Sequence, residues 1–217
     1  MTHTTQWRAG ACIFLAFLAA SAAAAGPTDG FAEQKLTFKV QHPYDLNEGE
    51  RYSEDHGVYH LWVRNTDKPF AEGNKTLPRT EMRFPDYSSP AVMQFEADMM
   101  VPSGTNNVCI CQIHTSNEES PKFGATTCMI DVRDNGELRQ YNGKVLLAHI
   151  YDQWFHLNVI HDTSKHTIDA YVNNKLADSK EDNKATSFYF KCGVYEQHGG
   201  SNEMHVYVKN VKLWSKP

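Results

Sequence analysis

The sequence predicts an all-β protein built from two packed antiparallel sheets, and three features predict it. Apolar residues recur at every second position through many short runs, which is the period of a half-buried strand. Turn-forming residues punctuate those runs at a spacing of roughly eight to twelve residues, as in sandwiches and barrels. No stretch carries a sustained 3.6-residue apolar stripe. The best helical candidate, around Leu146 to Trp154, amounts to one turn at most.

The chain has 217 residues, 41% apolar and 22% charged, enough for one substantial core and too few for two generous ones. Residues 1–25 stand apart. Arg8 provides a positive start, Ala11 to Ala20 an apolar centre with Phe14, Leu15, Phe17 and Leu18, and Ser21 to Ala25 a run of small residues suited to cleavage. This is the pattern of a secretory leader, too short and wrongly flanked for a stable membrane span. Residues 26–217 are then expected to form a single domain in the secretory pathway, destined for the outside of the cell, the cell wall or a vacuole. No later run is long and apolar enough to suggest a membrane helix. The formal net charge of −5 becomes one unit more negative without Arg8. A general affinity for nucleic acid is therefore not expected.

In order, Lys35 to Val40 reads as a first strand and Tyr44 to Asp55 as a loop. Val58 to Val63 is a strand, Asn65 to Pro78 a long exposed loop rich in turn formers, and Arg79 to Phe84 a further strand. Pro85 to Pro90 is a turn. Val92 to Val101 alternates most regularly, with Met93, Phe95, Ala97 and Met99 inward. Val108 to His114 is a strand that places Ile110, Gln112 and His114 on one face, with Cys109 and Cys111 on the other. Ala125 to Val132 and Leu138 to Leu147 flank a hairpin turn at Asp134-Asn-Gly136. Trp154 to Ile160 and Lys165 to Val172 form another pair, residues 173–185 a polar loop, and Ser187 to Gln197 a strand. Met204, Val206, Val208, Val211 and Leu213 mark the closing strand.

The Ser187–Gln197 run has an unusual second face. Phe188, Phe190, Cys192 and Val194 lie on one side; Tyr189, Lys191, Gly193, Tyr195 and Gln197 lie on the other. Phenols, an ammonium and an amide around a side-chain-free position suit the floor of a polar groove. Arg79, Glu81 and Arg83 share a face in the same way, as do Gln112 and His114. Three alternating charges are either a solvated edge or an arginine pair steadied by the glutamate between them.

The four cysteines after the leader, Cys109, Cys111, Cys128 and Cys192, invite disulfides in a secreted protein, and all four are plausible core residues, either paired or free. Cys-Ile-Cys lacks the gap usual for structural zinc, and no carboxylate cluster suits calcium. Neither a metal nor a cofactor is expected. Asn74-Lys-Thr76 is a glycosylation sequon.

If the three polar strands are neighbours, they form a cleft for an anionic, hydroxyl-rich ligand, because arginine clamps carboxylates in a bidentate fork. Glycosidase chemistry needs two opposed carboxylates, and Glu81 between arginines would be a poor general acid. β-Elimination in a uronic-acid polymer fits better. Arg79, Arg83 and Gln112 would neutralise the sugar carboxylate, His114 or Tyr195 would take the C5 proton, and Tyr195 would protonate the leaving oxygen.

Arg79-Thr-Glu-Met-Arg83, Gln112-Ile-His114 and Tyr189 to Gln197 resemble, in order, three signature blocks of the alginate-lyase-like polysaccharide lyases. From about residue 31 onward the chain resembles most the plant citrate-binding-protein group of that superfamily, notably at Arg51-Tyr, Leu61-Trp-Val63, Trp154-Phe and Tyr189 to His198. The resemblance implies a β-jelly roll whose concave sheet binds a polyuronate. It assigns Arg79 or Arg83 and Gln112 to the carboxylate, His114 to neutralisation or base, and Tyr195 to base or acid. Tyr189, Lys191 and Gln197 become groove residues, with Glu81 among the substrate-binding set. Cys192 replaces a small residue and faces away from the groove, free to bond another cysteine. A monomer acting on an anionic polysaccharide or oligouronate is expected; binding of citrate or an acidic glycan without turnover is the alternative.

Overall fold

The computed structural model describes Met1 and residues 26–133, 136–141 and 143–217. The leader pattern over residues 2–25 and Asp134 and Asn135 of the hairpin turn lie outside the described residues. The strands are β1 (Ala32–Gln34), β2 (Lys39–Gln41), β3 (Tyr52–Asp55), β4 (Val58–Arg64), β5 (Arg79–Arg83), β6 (Tyr87–Ser88), β7 (Val92–Met100) and β8 (Val108–Thr115). They continue with β9 (Thr126–Arg133), β10 (Glu137–Gln140), β11 (Val145–Leu147), β12 (Trp154–Asp162), β13 (Thr167–Val172), β14 (Lys175–Glu181), β15 (Ser187–Glu196) and β16 (Glu203–Lys216).

These strands form two antiparallel sheets packed as a jelly-roll-like sandwich. The back sheet runs β14-β13-β12-β7-β16-β4-β3, with β1 beside β16. The site sheet runs β11-β10-β9-β8-β15-β5-β2, with β6 beside β15. Between them Phe95, Ala97 and Met99 of β7, Leu157 and Val159 of β12, and Val206 and Val208 of β16 meet Met82, Ile113, Ile130, Phe188, Phe190 and Val194 from the other side. Each large side chain so buried contributes about 1.5–3 kcal/mol. Period-two alternation thus becomes two apolar faces in contact.

Several expectations change. The polar run 173–185 contains strand β14, paired with β13, because its alternation is weak on an edge strand with no second sheet face to cover. The turn 85–90 contains the short strand β6. The only α-helix among the described residues is Ser120–Phe123, in the loop after β8.

The parity of β8 also breaks. Cys109 pairs with Asp131 but Cys111 pairs with Ile130, a bulge that places one extra residue on β8. Ile110 and Cys111 both join the core, while Cys109 stands opposite Tyr195 on the site face. Ile110 therefore does not share a face with Gln112 and His114, and Cys109 does not share one with Cys111.

The expected disulfides are absent: Cys109, Cys111, Cys128 and Cys192 are all free and buried. The bulge takes Cys109 to the opposite face from the other three. Cys111 and Cys192 are direct cross-strand partners, yet opposed Cβ atoms in a ladder stand about 4.5–5.5 Å apart, against a mean of about 3.8 Å in a disulfide. Burial holds all four thiols protonated by pushing their acidities out of reach.

Gly193 also differs from its expected role. A Cβ there would lie 2.3 Å from the Thr80 carbonyl oxygen and 2.8 Å from Glu81 Cα. The vacant position is filled by the β5 backbone, not left open to a ligand, and the φ of 149° suits only glycine. Replacing Gly193 with Ala is expected to destabilise the fold by roughly 2–3 kcal/mol in urea unfolding, as overpacking does. Alkylation without reductant should leave all four cysteines unmodified in the native protein and label all four after unfolding in urea.

Candidate functional site

The three polar strands are neighbours. β15 lies between β5 and β8, so that Lys191 stands opposite Arg83 on one side and Gln112 on the other. Tyr195 faces Arg79, Gly193 faces Glu81, and Tyr189 faces His114. Side-chain alternation then sends all these groups to one face.

Glu81 is the hub. Its carboxylate has 0% exposure and accepts from Gln112 Nε2 at 2.5 Å and from Lys191 Nζ at 3.2 Å. Arg79 Nη1 reaches Oε2 at 3.4 Å. Lys191 is also buried, and desolvation lowers its pKa while the Glu81 charge opposes that shift. One carboxylate thus meets two cations, and the cluster carries a net positive charge.

The aromatic groups fix the cations from outside. The Arg79 guanidinium lies 3.7 Å from the Tyr195 ring centroid and 5.1 Å from that of Phe70. Lys191 Nζ lies 5.8 Å from the same Phe70 ring. Arg83 sits 4.1 Å over Tyr189, donates to the Phe84 carbonyl at 2.9 Å and pairs with Asp86. Such cation–π contacts contribute about 0.5–2 kcal/mol each. His114 stacks on the other side of this group, 4.8 Å from Tyr189 with the planes 16° apart.

A pocket of about 170 Å³ opens above the hub, walled by Arg79, Gln112, His114, Tyr195 and Gln197, with Thr76 at its edge and Thr126 and Met129 across from them. Arg79 Nε, Gln112 Oε1 and Thr76 Oγ1 are buried and have no hydrogen-bond partner in the protein. Orphaned polar atoms are costly in a dry interior, and here they are gathered at one pocket with both donors and an acceptor. A ligand that carries anionic and hydroxyl groups would satisfy them. Among the described residues no group of three or more His, Cys, Asp or Glu side chains is placed to hold a metal.

The ionisable groups are held neutral. His114 Nδ1 is 2.5 Å from the Thr115 carbonyl oxygen. A carbonyl only accepts, so Nδ1 carries the proton and Nε2 keeps its lone pair. Burial pushes the His114 pKa down to about 4; the Thr115 contact opposes this, and nearby Lys191 and Arg79 add to it. Burial raises the Tyr195 pKa against the pull of Arg79. Tyr189 is raised to about 12, again mainly by burial.

Sequence reasoning brought the right strands together but did not separate the layers. Arg79, Gln112, His114, Tyr195 and Gln197 border one pocket. Glu81 and Lys191 lie beneath it, and Tyr189 and Arg83 lie beside it. Arg83 borders a separate cavity of about 290 Å³ with Thr37, Phe38, Lys39 and Pro85. Phe70 and Thr76 were not foreseen, because both lie in the 65–78 loop, where no periodicity aims a side chain. The only signal was that Thr76 completes the sequon; its backbone N–H donates to Asn74 Oδ1 at 2.8 Å, which places the sequon on the same loop as the pocket wall.

The fold and site define a β-sandwich with a pocket on one sheet that gathers a guanidinium, an imidazole, a phenol and two amides. The chain belongs to the alginate lyase family, whose model matches residues 32–214. It is 40% identical over 196 residues to the citrate-binding protein of Hevea brasiliensis, covering 88% of this chain and 79% of that protein. The fold is shared with an alginate lyase of polysaccharide lyase family 7, at a TM-score of 0.65 and 18% identity, covering 83% of this chain and 94% of the other. It is also shared with an alginate lyase from Pseudomonas aeruginosa, at a TM-score of 0.62 and 17% identity, covering 82% and 97%.

Replacing Glu81 with Ala leaves Arg79 and Lys191 buried without their counter-ion. Unfolding in urea should show a loss of about 3–5 kcal/mol, the cost of breaking a buried ion pair from one side. The isosteric Glu81→Gln change should cost less, since Gln retains an oxygen acceptor.

Proposed function

We propose that this protein is a polysaccharide lyase that cleaves a 1,4-linked uronic-acid polymer, of glucuronan or alginate type, by β-elimination, and that it does so on the secretory route as a glycoprotein modified at Asn74. The observation that carries the reading is the single pocket bordered by Arg79, Gln112, His114 and Tyr195, in which the imidazole and the phenol are neutral while the guanidinium is charged.

In this reading Arg79 holds the C6 carboxylate through Nε and withdraws charge from C5, so that the C5 proton becomes acidic. Gln112 steadies the ring, Oε1 accepting from a sugar hydroxyl. His114 Nε2 removes the C5 proton. The electron pair moves into a new C4–C5 double bond, the C4–oxygen bond breaks, and the Tyr195 phenol gives its proton to the departing oxygen. The imidazolium then returns a proton to the phenolate, and the site is restored. Tyr195 is favoured as acid over base because burial keeps it protonated. The bound anionic sugar would raise the His114 pKa from its depressed value and make it a stronger base.

A second reading is supported by the 40% identity to a citrate-binding protein: the same cations hold a tricarboxylate without turnover. Ultraviolet absorbance of the unsaturated uronate separates the two. Polyglucuronate, polymannuronate, polyguluronate and pectic chains serve as substrates, with citrate titrated in a calorimeter. The lyase reading predicts a rise in absorbance with one polymer. Tyr195→Phe should then lower kcat by about 10²–10⁴-fold with little change in oligouronate affinity, while Arg79→Ala lowers both. The profile of kcat/KM against pH should keep its activity down to pH near 4, where His114 protonates in the free protein, and not fall off near 6.5. No absorbance change with any polymer, together with heat on citrate addition, would replace the lyase with the binding protein.

A further inference from the structure

A cavity of about 520 Å³ lies away from this chemistry, on the outward face of the back sheet. That volume is within the roughly 300–1,000 Å³ of small-ligand sites. Its floor follows from the strand register. Ile160 of β12 stands opposite Asp169 of β13, and Asp162 stands opposite Thr167. Tyr171, two positions along, forms one wall. The other wall is the segment from Gly26 to Phe31, tied down by the hydrogen bond from Gln94 Nε2 to Thr28 Oγ1 at 3.3 Å.

The lining mixes charge signs around apolar surface. Asp162 pairs with Lys165 at 3.0 Å, and Asp169 accepts from Ser179 Oγ at 2.6 Å. The Lys216 ammonium lies 4.7 Å from the Phe31 ring centroid. A polyanion entering here would meet the carboxylates, and a cation would meet the ammoniums. A neutral polyol meets neither penalty, since each hydroxyl donates to a carboxylate and accepts from an ammonium. Tyr171 and Ile160 offer apolar surface to the C–H face of a sugar ring.

We infer that this cavity is a second, non-catalytic carbohydrate site that takes neutral hexose oligosaccharides. It stands on the sheet opposite the acidic-ligand pocket, so one molecule can hold a neutral matrix glycan by its back and present its pocket to an acidic chain. Tethering of that kind raises the local concentration of the second ligand without any new contact.

Calorimetry with cellohexaose, laminarihexaose and mannohexaose tests this on the whole protein. At least one hexaose should bind the unmodified protein. Its affinity should fall by about tenfold or more in Tyr171→Ala and in the isosteric Asp169→Asn, a loss of about 1.4 kcal/mol or more, and stay within about twofold in Arg79→Ala. Turnover of, or affinity for, the acidic ligand should be unchanged in the Tyr171 and Asp169 variants. If Tyr171→Ala fails to fold by circular dichroism, Asp169→Asn decides. Absence of heat with all three hexaoses overturns the inference, as does binding that survives Asp169→Asn or is lost in Arg79→Ala.

Discussion

The site rests on one buried carboxylate. Glu81 has no access to water, and an isolated charge in that position would be prohibitively costly. It is tolerated because Gln112, Lys191 and Arg79 converge on it from three adjacent strands. Lys191 and Arg79 are themselves buried cations that would be costly alone, and the buried Gln112 amide would lose its acceptor. The four groups therefore stand or fall together, and their mutual dependence locks the relative positions of β5, β15 and β8. Gly193 makes this possible, because only a residue without a side chain lets β5 approach closely enough to place Glu81 between the cations. A backbone feature and an electrostatic one are thus the same device. The surplus positive charge left over is what the pocket offers to a ligand.

Much of this was legible in the sequence because strand alternation is a strict code. Given Tyr189, Lys191 and Tyr195 on one face and Phe188, Phe190, Cys192 and Val194 on the other, the polar face followed without any knowledge of the third dimension. Periodicity leaves the neighbour relation of the three strands a condition, which the resemblance fills in, since the pairings of β15 with β8 and β5 join residues distant in sequence and leave no local trace. What broke the code was a single extra residue. The bulge in β8 reverses the parity of Cys109 and Ile110 relative to Gln112, and nothing in Val-Cys-Ile-Cys-Gln marks where it falls. The disulfide expectation failed partly for that reason. It failed also because a sandwich with this much buried apolar surface has no need of the cross-links on which small secreted domains rely.

The 65–78 loop was illegible in a different sense. Its composition announced a loop, and a loop it is, but composition does not say that Phe70 lies against Arg79 and Lys191 or that Thr76 reaches the pocket. Those placements depend on where Pro69 anchors to Tyr44 and on the Asx turn at Asn74. The sequence offers Glu81 both as a group that steadies the arginines and as a substrate contact, and Lys191 as a groove residue; in the structure Glu81 and Lys191 form the buried foundation and Arg79 lines the pocket above them. Burial, which no one-dimensional pattern reports for a polar residue, separates the two layers.

Burial also divides the two functional readings along a line that charge does not. Arg79 and the polar atoms beside it would hold a uronate and a tricarboxylate alike, since both are hydroxyl-bearing carboxylates. Neither His114 nor Tyr195 is required for that hold: a neutral imidazole adds little to an anion, and a phenol with a raised pKa adds one hydrogen bond. For elimination the same pair is apt. One ring nitrogen is pinned to a carbonyl so that the other must accept, and the phenol is kept as a donor by the environment that strips the imidazole of its charge. Under the lyase reading proposed above, burial that keeps the imidazole as acceptor and the phenol as donor suits transfer of a proton from C5 and delivery of another to the leaving oxygen. A bound carboxylate of either kind would raise the His114 pKa, so what divides the two readings is the phenol: elimination needs Tyr195 as a proton donor, and retention of an anion does not.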